Sequence, residues 1–61
     1  MSYKVWELRT ALGYSLRDLE AVSGVSKTEI NEIENGKANP SVTTLLLLAA
    51  GLQVELTELF T

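Results

Sequence analysis

The sequence has no cysteine and no histidine among its 61 residues. The absence of cysteine excludes a disulfide framework, and the absence of both types removes thiol and imidazole nucleophiles and the usual zinc ligands. So short a chain also has little room for a sizeable pocket. We therefore expect a non-enzymatic protein with no catalytic residue, no metal, no cofactor and no small-molecule substrate.

Long apolar runs are also missing. The most apolar stretch, LLLLAAGL, is too short to span a bilayer, and the start MSYKVWELRT lacks the apolar segment of a signal peptide. These patterns predict a cytoplasmic protein that does not bind a membrane. The length allows one domain and leaves no room for a second.

Basic residues are fewer than acidic ones. Five lysines and arginines stand against eight acidic residues, and the formal net charge is −3. This balance is opposite to that expected of a chain that neutralises phosphates. All five basic residues precede residue 38, so any cationic surface must come from the first two-thirds of the chain.

Helix start and stop signals recur along the chain, which predicts an all-α fold. A first helix can begin with Ser2 as its cap and end at Leu12, before Gly13. The stretches Ser15-Leu-Arg-Asp18 and Ser26-Lys-Thr-Glu29 have the spacing of capping boxes, in which a serine and an acid satisfy free amides at a helix start. We therefore expect two further helices with a tight turn between them.

The later stop and start signals complete the pattern. Ser23-Gly24 ends the second helix, and Asn35-Gly36 ends the third. Pro40 breaks the chain, and Ser41 can cap a fourth helix that runs to about residue 51 or 52. With LTELF as a last short turn, five helices are predicted.

Periodicity at 100° per residue assigns the buried faces of these helices. The buried face of the first helix holds Val5, Leu8 and Leu12. Arg9 lies at the edge of that face, where an arginine requires an acidic partner. In the third helix Ile30 and Ile33 define the buried side, and Glu34 lies at its edge. The outward side of the third helix holds Thr28, Asn31, Glu32 and Asn35.

The stretch from Leu8 to Phe60 resembles the Cro/CI-type helix-turn-helix domain, the XRE family of bacterial and phage repressors. The resemblance rests on Leu8-Arg9 in the first helix, Gly24 in the turn, and Ile30 followed by IENGKANPS. It covers nearly the whole chain. It implies a compact five-helix lambda-repressor-like domain over residues 4–60, with the helix-turn-helix at about residues 15–35.

The resemblance implies a sequence-specific transcriptional regulator, a repressor of a short operator that binds double-stranded DNA as a homodimer. The helix from Ser26 to Glu34 would enter the major groove. By resemblance the base-reading residues are Lys27, Thr28, Asn31 and Glu32. The phosphate contacts are Ser15, Arg17, Ser26 and Lys37, with free amides at the starts of the second and third helices. Arg9 and Glu34 form the family's structural ion pair.

The acidic residues of the helix-turn-helix need an explanation in a DNA-binding protein. We expect Glu29 to fold back on the Ser26 amide as the capping-box acid, which leaves Glu32 to face the groove and accept from cytosine N4. Three positions of the helix-turn-helix depart from the family pattern, and one is Glu32 itself, where the family usually has glutamine, arginine or serine. Leu16 replaces a glutamine that braces the DNA contact, and Glu20 replaces a small residue, so its side chain must bend outward or find a cation.

Four successive leucines, Leu45 to Leu48, cover too wide an arc of a helix to reach one core. We expect the side chains of one face to point inward, namely Val42, Leu45, Ala49 and Leu52. Leu47 then faces away from the core, beside Thr43, Ala50 and Gly51. By resemblance to family dimers, Leu47, Ala50 and Phe60 are the predicted dimer interface.

A second hypothesis stays open beside the DNA-binding one. The chain could be a protein-interaction module of the antitoxin or anti-repressor type, whose acidic third helix or bare fourth helix binds another protein. The negative net charge and Leu16 favour this alternative. The substitution Glu32→Lys separates the two, because it should strengthen or redirect DNA binding but abolish docking to an acidic surface.

Overall fold

The computed structural model describes residues 3–60, which are helical and contain no strand. The four α-helices are α1 (Val5–Ala11), α2 (Leu16–Ser23), α3 (Lys27–Glu34) and α4 (Val42–Leu52), and a 3-10 helix follows at Leu56–Leu59. The predicted all-α class is confirmed. The fifth predicted helix is the 3-10 helix, so the count is four α-helices and one shorter element. None of the helices in residues 3–60 is long and apolar enough to cross a membrane.

Serine side chains begin three of the α-helices, as predicted. Ser15, Ser26 and Ser41 each accept a hydrogen bond from the backbone N–H three residues later. At α2 the capping box is complete, because the Asp18 carboxylate accepts from the Ser15 N–H at 2.8 Å. Such caps satisfy amides that have no partner inside the helix, and each stabilises its helix by about 1 kcal/mol.

The first helix differs from its prediction at both ends. It begins at Val5 with Lys4 in the cap position and no side-chain cap. The predicted cap, Ser2, lies outside the described residues. At the other end the helix stops at Ala11 and the chain turns through Leu12, which is 45 % exposed. The prediction that Leu12 is buried was wrong. The residue keeps helical dihedral angles and donates its N–H to the Leu8 oxygen, but its side chain lies at the end of α1 outside the apolar cluster.

One apolar cluster receives side chains from every helix and from the turn between α2 and α3. Its members are Val5, Leu19, Val25, Ile30, Ile33, Leu45, Leu48, Ala49, Leu52 and Leu59. Full burial of one large apolar side chain contributes about 1.5–3 kcal/mol. The predicted inward positions of Ile30 and Ile33 are confirmed, and this burial determines which side of α3 remains exposed.

The inward face of α4 is rotated from the predicted one. The predicted residues Leu45, Ala49 and Leu52 are buried, and so is Leu48. Val42 is 66 % exposed, because the helix turns its first residue away from the core. Gly51, which was expected to face outward, is buried against α2. A Cβ atom added to Gly51 would lie 3.0 Å from the Ser23 Cβ atom, so the helices are in close contact there.

The opposite side of α4 is apolar and exposed. We call it the exposed α4 face, and it consists of Val42, Leu46, Leu47 and Ala50. Leu46 is 51 % exposed and Leu47 is 44 % exposed. At 100° per residue Leu46 lies between Val42 and Ala50, so the face is centred on Leu46, with Leu47 nearer its edge.

Candidate nucleic-acid interface

The turn between α2 and α3 is held by local hydrogen bonds and by one glycine. Gly24 ends α2 with a φ of 79°, in the left-handed region that residues with a Cβ rarely adopt. The buried Ser23 hydroxyl oxygen accepts from the Val25 N–H at 3.1 Å. Val25 then enters the core, and Ser26 caps α3. These contacts set the direction in which α3 leaves the turn.

The four residues predicted to read bases lie together on the exposed side of α3. Lys27, Thr28, Asn31 and Glu32 are all exposed, while Ile30 and Ile33 fix the opposite side in the core. The predicted outward side of α3 is therefore confirmed. It presents an ammonium, a hydroxyl, an amide and a carboxylate on one surface.

Two asparagines on this side are linked across one turn of α3. Asn35 Nδ2 donates to the Asn31 backbone oxygen at 2.8 Å and to Asn31 Oδ1 at 3.1 Å. The atom that donates to a backbone carbonyl must be an amide nitrogen, so its side-chain partner must be the Asn31 oxygen. The network therefore orients the Asn31 amide, with Oδ1 already accepting one hydrogen bond.

The start of α3 carries a carboxylate, but it is not the predicted one. Glu29 donates its backbone N–H to Ser26 Oγ at 3.1 Å, and its own carboxylate does not return to the Ser26 N–H. Instead Oε2 of Glu20, in α2, accepts from the Lys27 N–H at 3.1 Å. The prediction for Glu29 was therefore wrong, and the carboxylate at this helix start is that of Glu20, which binds a different amide, that of Lys27.

The predicted ion pair between α1 and α3 is formed. Arg9 Nε donates to Glu34 Oε2 at 2.7 Å, and Arg9 Nη2 donates to Glu34 Oε1 at 3.0 Å. The bidentate hydrogen bond with Glu34 raises the pKa of Arg9 above its ordinary value. Because the Glu34 carboxylate is used in this way, it adds no free negative charge to the exposed side of α3.

The predicted phosphate contacts are accessible. The side chains of Ser15, Arg17, Ser26 and Lys37 are exposed. Each serine oxygen accepts one backbone N–H, which leaves its O–H able to donate. Within residues 3–60 neither Arg17 nor Lys37 forms an ion pair.

Fewer helix-terminal amides are available than predicted. At α3 the Lys27 N–H is bound by Glu20, and the Glu29 N–H is bound by Ser26. At α2 the Asp18 N–H is bound by Ser15. The prediction of free amides at both helix starts is thus partly wrong, because side chains of the helix-turn-helix satisfy several of them.

The balance of charge on the helix-turn-helix remains slightly acidic. Arg17 and Lys27 provide two cations, and Lys37 lies just after the end of α3. Besides Glu34, the carboxylates are Asp18, Glu20, Glu29 and Glu32. Two of these four accept hydrogen bonds at helix starts, where negative charge is favoured. Part of the negative charge therefore stabilises the starts of α2 and α3.

Leu16 and Glu20, the two departures from the family pattern in α2, have different surroundings. Leu16 is half-buried and packs on the core, so it adds apolar contact at the position where the family pattern predicts an amide. Glu20 binds a backbone amide, and it forms no ion pair with any cation in residues 3–60. A helix N-terminus favours an anion, and this was the signal by which the Glu20 contact could have been predicted.

The sequence matches a family model described as Helix-turn-helix over residues 7–59. The chain belongs to the Cro/CI-type helix-turn-helix family. Its curated relatives include the HTH-type transcriptional regulator SlrR of Bacillus subtilis, which is 51% identical over 53 residues. The HTH-type transcriptional regulator SutR of Escherichia coli is 39% identical over 54 residues.

These alignments cover most of this chain but only part of those relatives. They include 85% of this chain and 35% of SlrR, and 88% of this chain and 30% of SutR. This chain therefore spans about a third of the length of these two regulators. A shorter relative, the uncharacterized HTH-type transcriptional regulator y4dJ of Sinorhizobium fredii, is 41% identical over 88% of this chain and 70% of its own length.

The fold is similar to a solved structure as well. The restriction-modification controller protein C.AhdI from Aeromonas hydrophila superposes with a TM-score of 0.90 and is 38% identical. The match covers 93% of this chain and 86% of that one. The structural similarity therefore extends over nearly the whole of this chain and most of C.AhdI.

Proposed function

We propose that this helix-turn-helix protein is a sequence-specific DNA-binding transcriptional regulator that places α3 in the major groove. The observation that carries the proposal is the exposed polar side of α3, held rigidly by a buried opposite side and by the Arg9–Glu34 pair. Helices in this arrangement present their N-terminal residues to base edges. The relatives named as transcriptional regulators support the same function.

Each exposed side chain of α3 suits a different partner on the bases. Lys27, at the helix start, can donate to guanine O6 and N7. Thr28 can donate, accept or contact a thymine methyl group, and Asn31 can donate to an acceptor on the base edge. Glu32 can accept from cytosine N4. We therefore expect a preference for a short sequence and not only for duplex DNA in general.

Phosphate contacts would come from Arg17 and Lys37, with the Ser15 and Ser26 hydroxyls as further donors. Few cations are available for this purpose. The logarithm of the binding constant falls with the logarithm of salt concentration by about 0.9 per neutralised phosphate, which gives a slope of about −2 per subunit for the two cations. Binding by one subunit is thus expected to be weak.

A homodimer would compensate for the weak binding of one subunit. The exposed α4 face and Phe60, which is 47 % exposed, provide an apolar surface that a second copy can cover. Two subunits related by a two-fold axis would read two half-sites about one helical turn apart. We propose that such a dimer acts as a repressor in the bacterial cytoplasm by occupying promoter DNA.

The proposal is tested by selecting bound duplexes from a random library at low salt and titrating the selected duplex with salt. A pseudo-palindromic sequence should be enriched. Lys27→Met should cost about 1–3 kcal/mol of binding free energy and relax selectivity at one position of each half-site. Lys4→Met removes the same charge outside the helix-turn-helix and is the matched control. No enriched sequence, or equal effects of both variants, would contradict the proposal.

The excess of carboxylates on the helix-turn-helix favours a second candidate, a module that binds a basic protein partner. In that case no duplex is enriched, and Glu32→Lys abolishes partner binding. For a DNA-binding protein the same substitution strengthens binding or changes the preferred base.

A further inference from the structure

Glu20 connects the two helices of the helix-turn-helix. It is half-buried in α2, and its carboxylate reaches across the turn to accept from the Lys27 N–H at 3.1 Å. Within residues 3–60 this is the one side-chain hydrogen bond that joins α2 directly to α3. The apolar contacts between the two helices position α3 broadly, and this bond defines the place of its first residue.

The electrostatics of a helix end favour this contact. The first amides of α3 have no acceptor inside the helix, and their aligned dipoles place partial positive charge at this end. Ser26 satisfies one amide and Glu20 satisfies another. Any acceptor oxygen at this position could make the bond, whereas only a carboxylate adds a full negative charge.

That charge lies where the proposed DNA complex is most sensitive to it. The N-terminal residues of a recognition helix are the ones that contact base edges, and Glu20 is bound to the first residue of α3. A carboxylate there repels the nearby phosphates and offsets part of the attraction of Lys27. Because the effect does not depend on base sequence, it lowers binding to every duplex.

We propose that Glu20 is a positioning residue for α3 whose two effects are separable. Its oxygen holds Lys27 and the first turn of α3 in place, which maintains discrimination between DNA sequences. Its charge limits the affinity for all DNA. This inference rests on the proposed function, since it concerns how strongly and how selectively the same surface binds DNA.

The test compares three variants on the selected duplex and on a scrambled duplex of equal length. Glu20→Gln keeps an acceptor oxygen and removes the charge, whereas Glu20→Ala removes both. Glu7→Gln, on the exposed side of α1, removes the same charge elsewhere. Dissociation constants are measured at low and high salt, and thermal unfolding is followed for each variant.

Glu20→Gln should bind both duplexes about two- to five-fold more tightly than the wild type at low salt, and this gain should shrink as salt screens the charge. Glu7→Gln should give a smaller gain. Glu20→Ala should unfold at a lower temperature than Glu20→Gln, and its preference for the selected duplex should fall by about three-fold or more, because α3 is less well placed.

The outcomes separate this inference from the proposed function. A wild-type protein that does not distinguish the two duplexes overturns the proposed function and this inference with it. If the wild type does distinguish them, a Glu20→Gln gain no larger than that of Glu7→Gln overturns the effect of charge. Full discrimination by Glu20→Ala overturns the positioning role.

Discussion

Arg9 in α1 and Glu34 at the end of α3 form a forked ion pair between segments 25 residues apart in the sequence. The third guanidinium donor, Nη1, binds the Tyr14 carbonyl oxygen at 2.9 Å. The two side chains are only 12 % and 6 % exposed. Arg9 therefore joins α1, the loop after it and α3, because each of its three guanidinium nitrogens donates a hydrogen bond.

Arg9→Lys tests whether the fork, and not the charge alone, maintains this junction. An ammonium group cannot donate in the bidentate geometry and also reach the Tyr14 carbonyl. We expect the free energy of unfolding to fall by about 2 kcal/mol, measured by chemical denaturation. Arg17→Lys is the control, since Arg17 is exposed and should change stability by less than about 0.5 kcal/mol. Equal effects would contradict the structural role.

The capping box of α2 predicts a dependence of stability on pH. Hydrogen bonds from the Ser15 backbone N–H, and then from its side chain, hold the pKa of Asp18 below the ordinary value of 3.8. The folded state thus favours the ionised carboxylate. The resulting stabilisation is fully present above the ordinary pKa and is lost as pH falls through the lowered value.

Asp18→Asn keeps an acceptor oxygen but removes this charge. The variant should be less stable than the wild type at pH 7, and the two should converge as the pH is lowered below about 3.8, the ordinary aspartate value. Unfolding curves at several pH values between 7 and 2.5 measure the difference. A difference that stays constant over this range would show that the charge does not stabilise α2.

Gly51 allows α4 to approach α2 closely. A Cβ atom there would lie 3.0 Å from Ser23 Cβ and 3.2 Å from Ser23 Cα, and these atoms cannot move without moving α2. Gly51→Ala gains about 1 kcal/mol of helix propensity but introduces overpacking that costs typically 1–3 kcal/mol. We expect a net loss of about 1 kcal/mol in thermal or chemical unfolding. Thr43→Ala, on the exposed side of α4, should show no loss, and a stabilised Gly51→Ala would contradict the close packing.

Helix starts could be predicted from the sequence because caps are local. Ser15, Ser26 and Ser41 each act on an amide three residues away, so a pattern of four residues carries the information. The Arg9–Glu34 pair could also be predicted, since both residues stand at the edges of buried helical faces in a family pattern that covers the chain.

Other features depend on contacts between distant parts of the chain. The burial of Gly51 depends on how far α4 rotates towards α2, which the run of leucines leaves open. Leu12 follows the periodicity of the buried face, but it lies at the end of α1, and the sequence does not show how far the core extends along that helix. For Glu20 the sequence predicts an outward bend or a cation as partner, whereas the amide that it binds, at Lys27, becomes its neighbour only when the turn is formed.

The exposed α4 face predicts the site of dimerisation. Leu46→Lys places a charge at the centre of this face without disturbing the core, because Leu46 is 51 % exposed. We expect the variant to remain folded and to be monomeric at concentrations at which the wild type is dimeric, by analytical ultracentrifugation. Leu47→Lys, nearer the edge, should weaken the dimer less.

Val22→Lys is the control for these two variants, since Val22 is 53 % exposed in α2. It should leave the dimer intact. A wild type that is monomeric at all concentrations would exclude dimerisation from the mechanism. A dimer that survives Leu46→Lys would show that the subunits associate through another surface. Loss of the dimer should also lower DNA affinity, because the second half-site no longer contributes.

The hydrogen bond between Asn35 and Asn31 predicts a base preference at Asn31. A substitution at Asn35, which is not proposed to contact the base, should alter that preference. An asparagine reads adenine best when its oxygen accepts from N6 while its nitrogen donates to N7. In this protein Asn31 Oδ1 already accepts from Asn35 Nδ2 at 3.1 Å, which leaves the Asn31 nitrogen as the more available group. A base that offers only acceptors, as guanine does through O6 and N7, should therefore compete well with adenine at this position.

Asn35→Ala removes the link and leaves Asn31 unchanged, so both lone pairs of Asn31 Oδ1 become available and the oxygen can accept from adenine without competition. Repeating the library selection with this variant should raise the ratio of adenine to guanine at one position of each half-site by about five-fold or more, since a good bidentate pair is worth about 1–3 kcal/mol. Lys37→Met should instead weaken binding to all sequences without changing that ratio, because a phosphate contact carries no base preference. An unchanged ratio in Asn35→Ala would mean that Asn31 does not read this base through its amide.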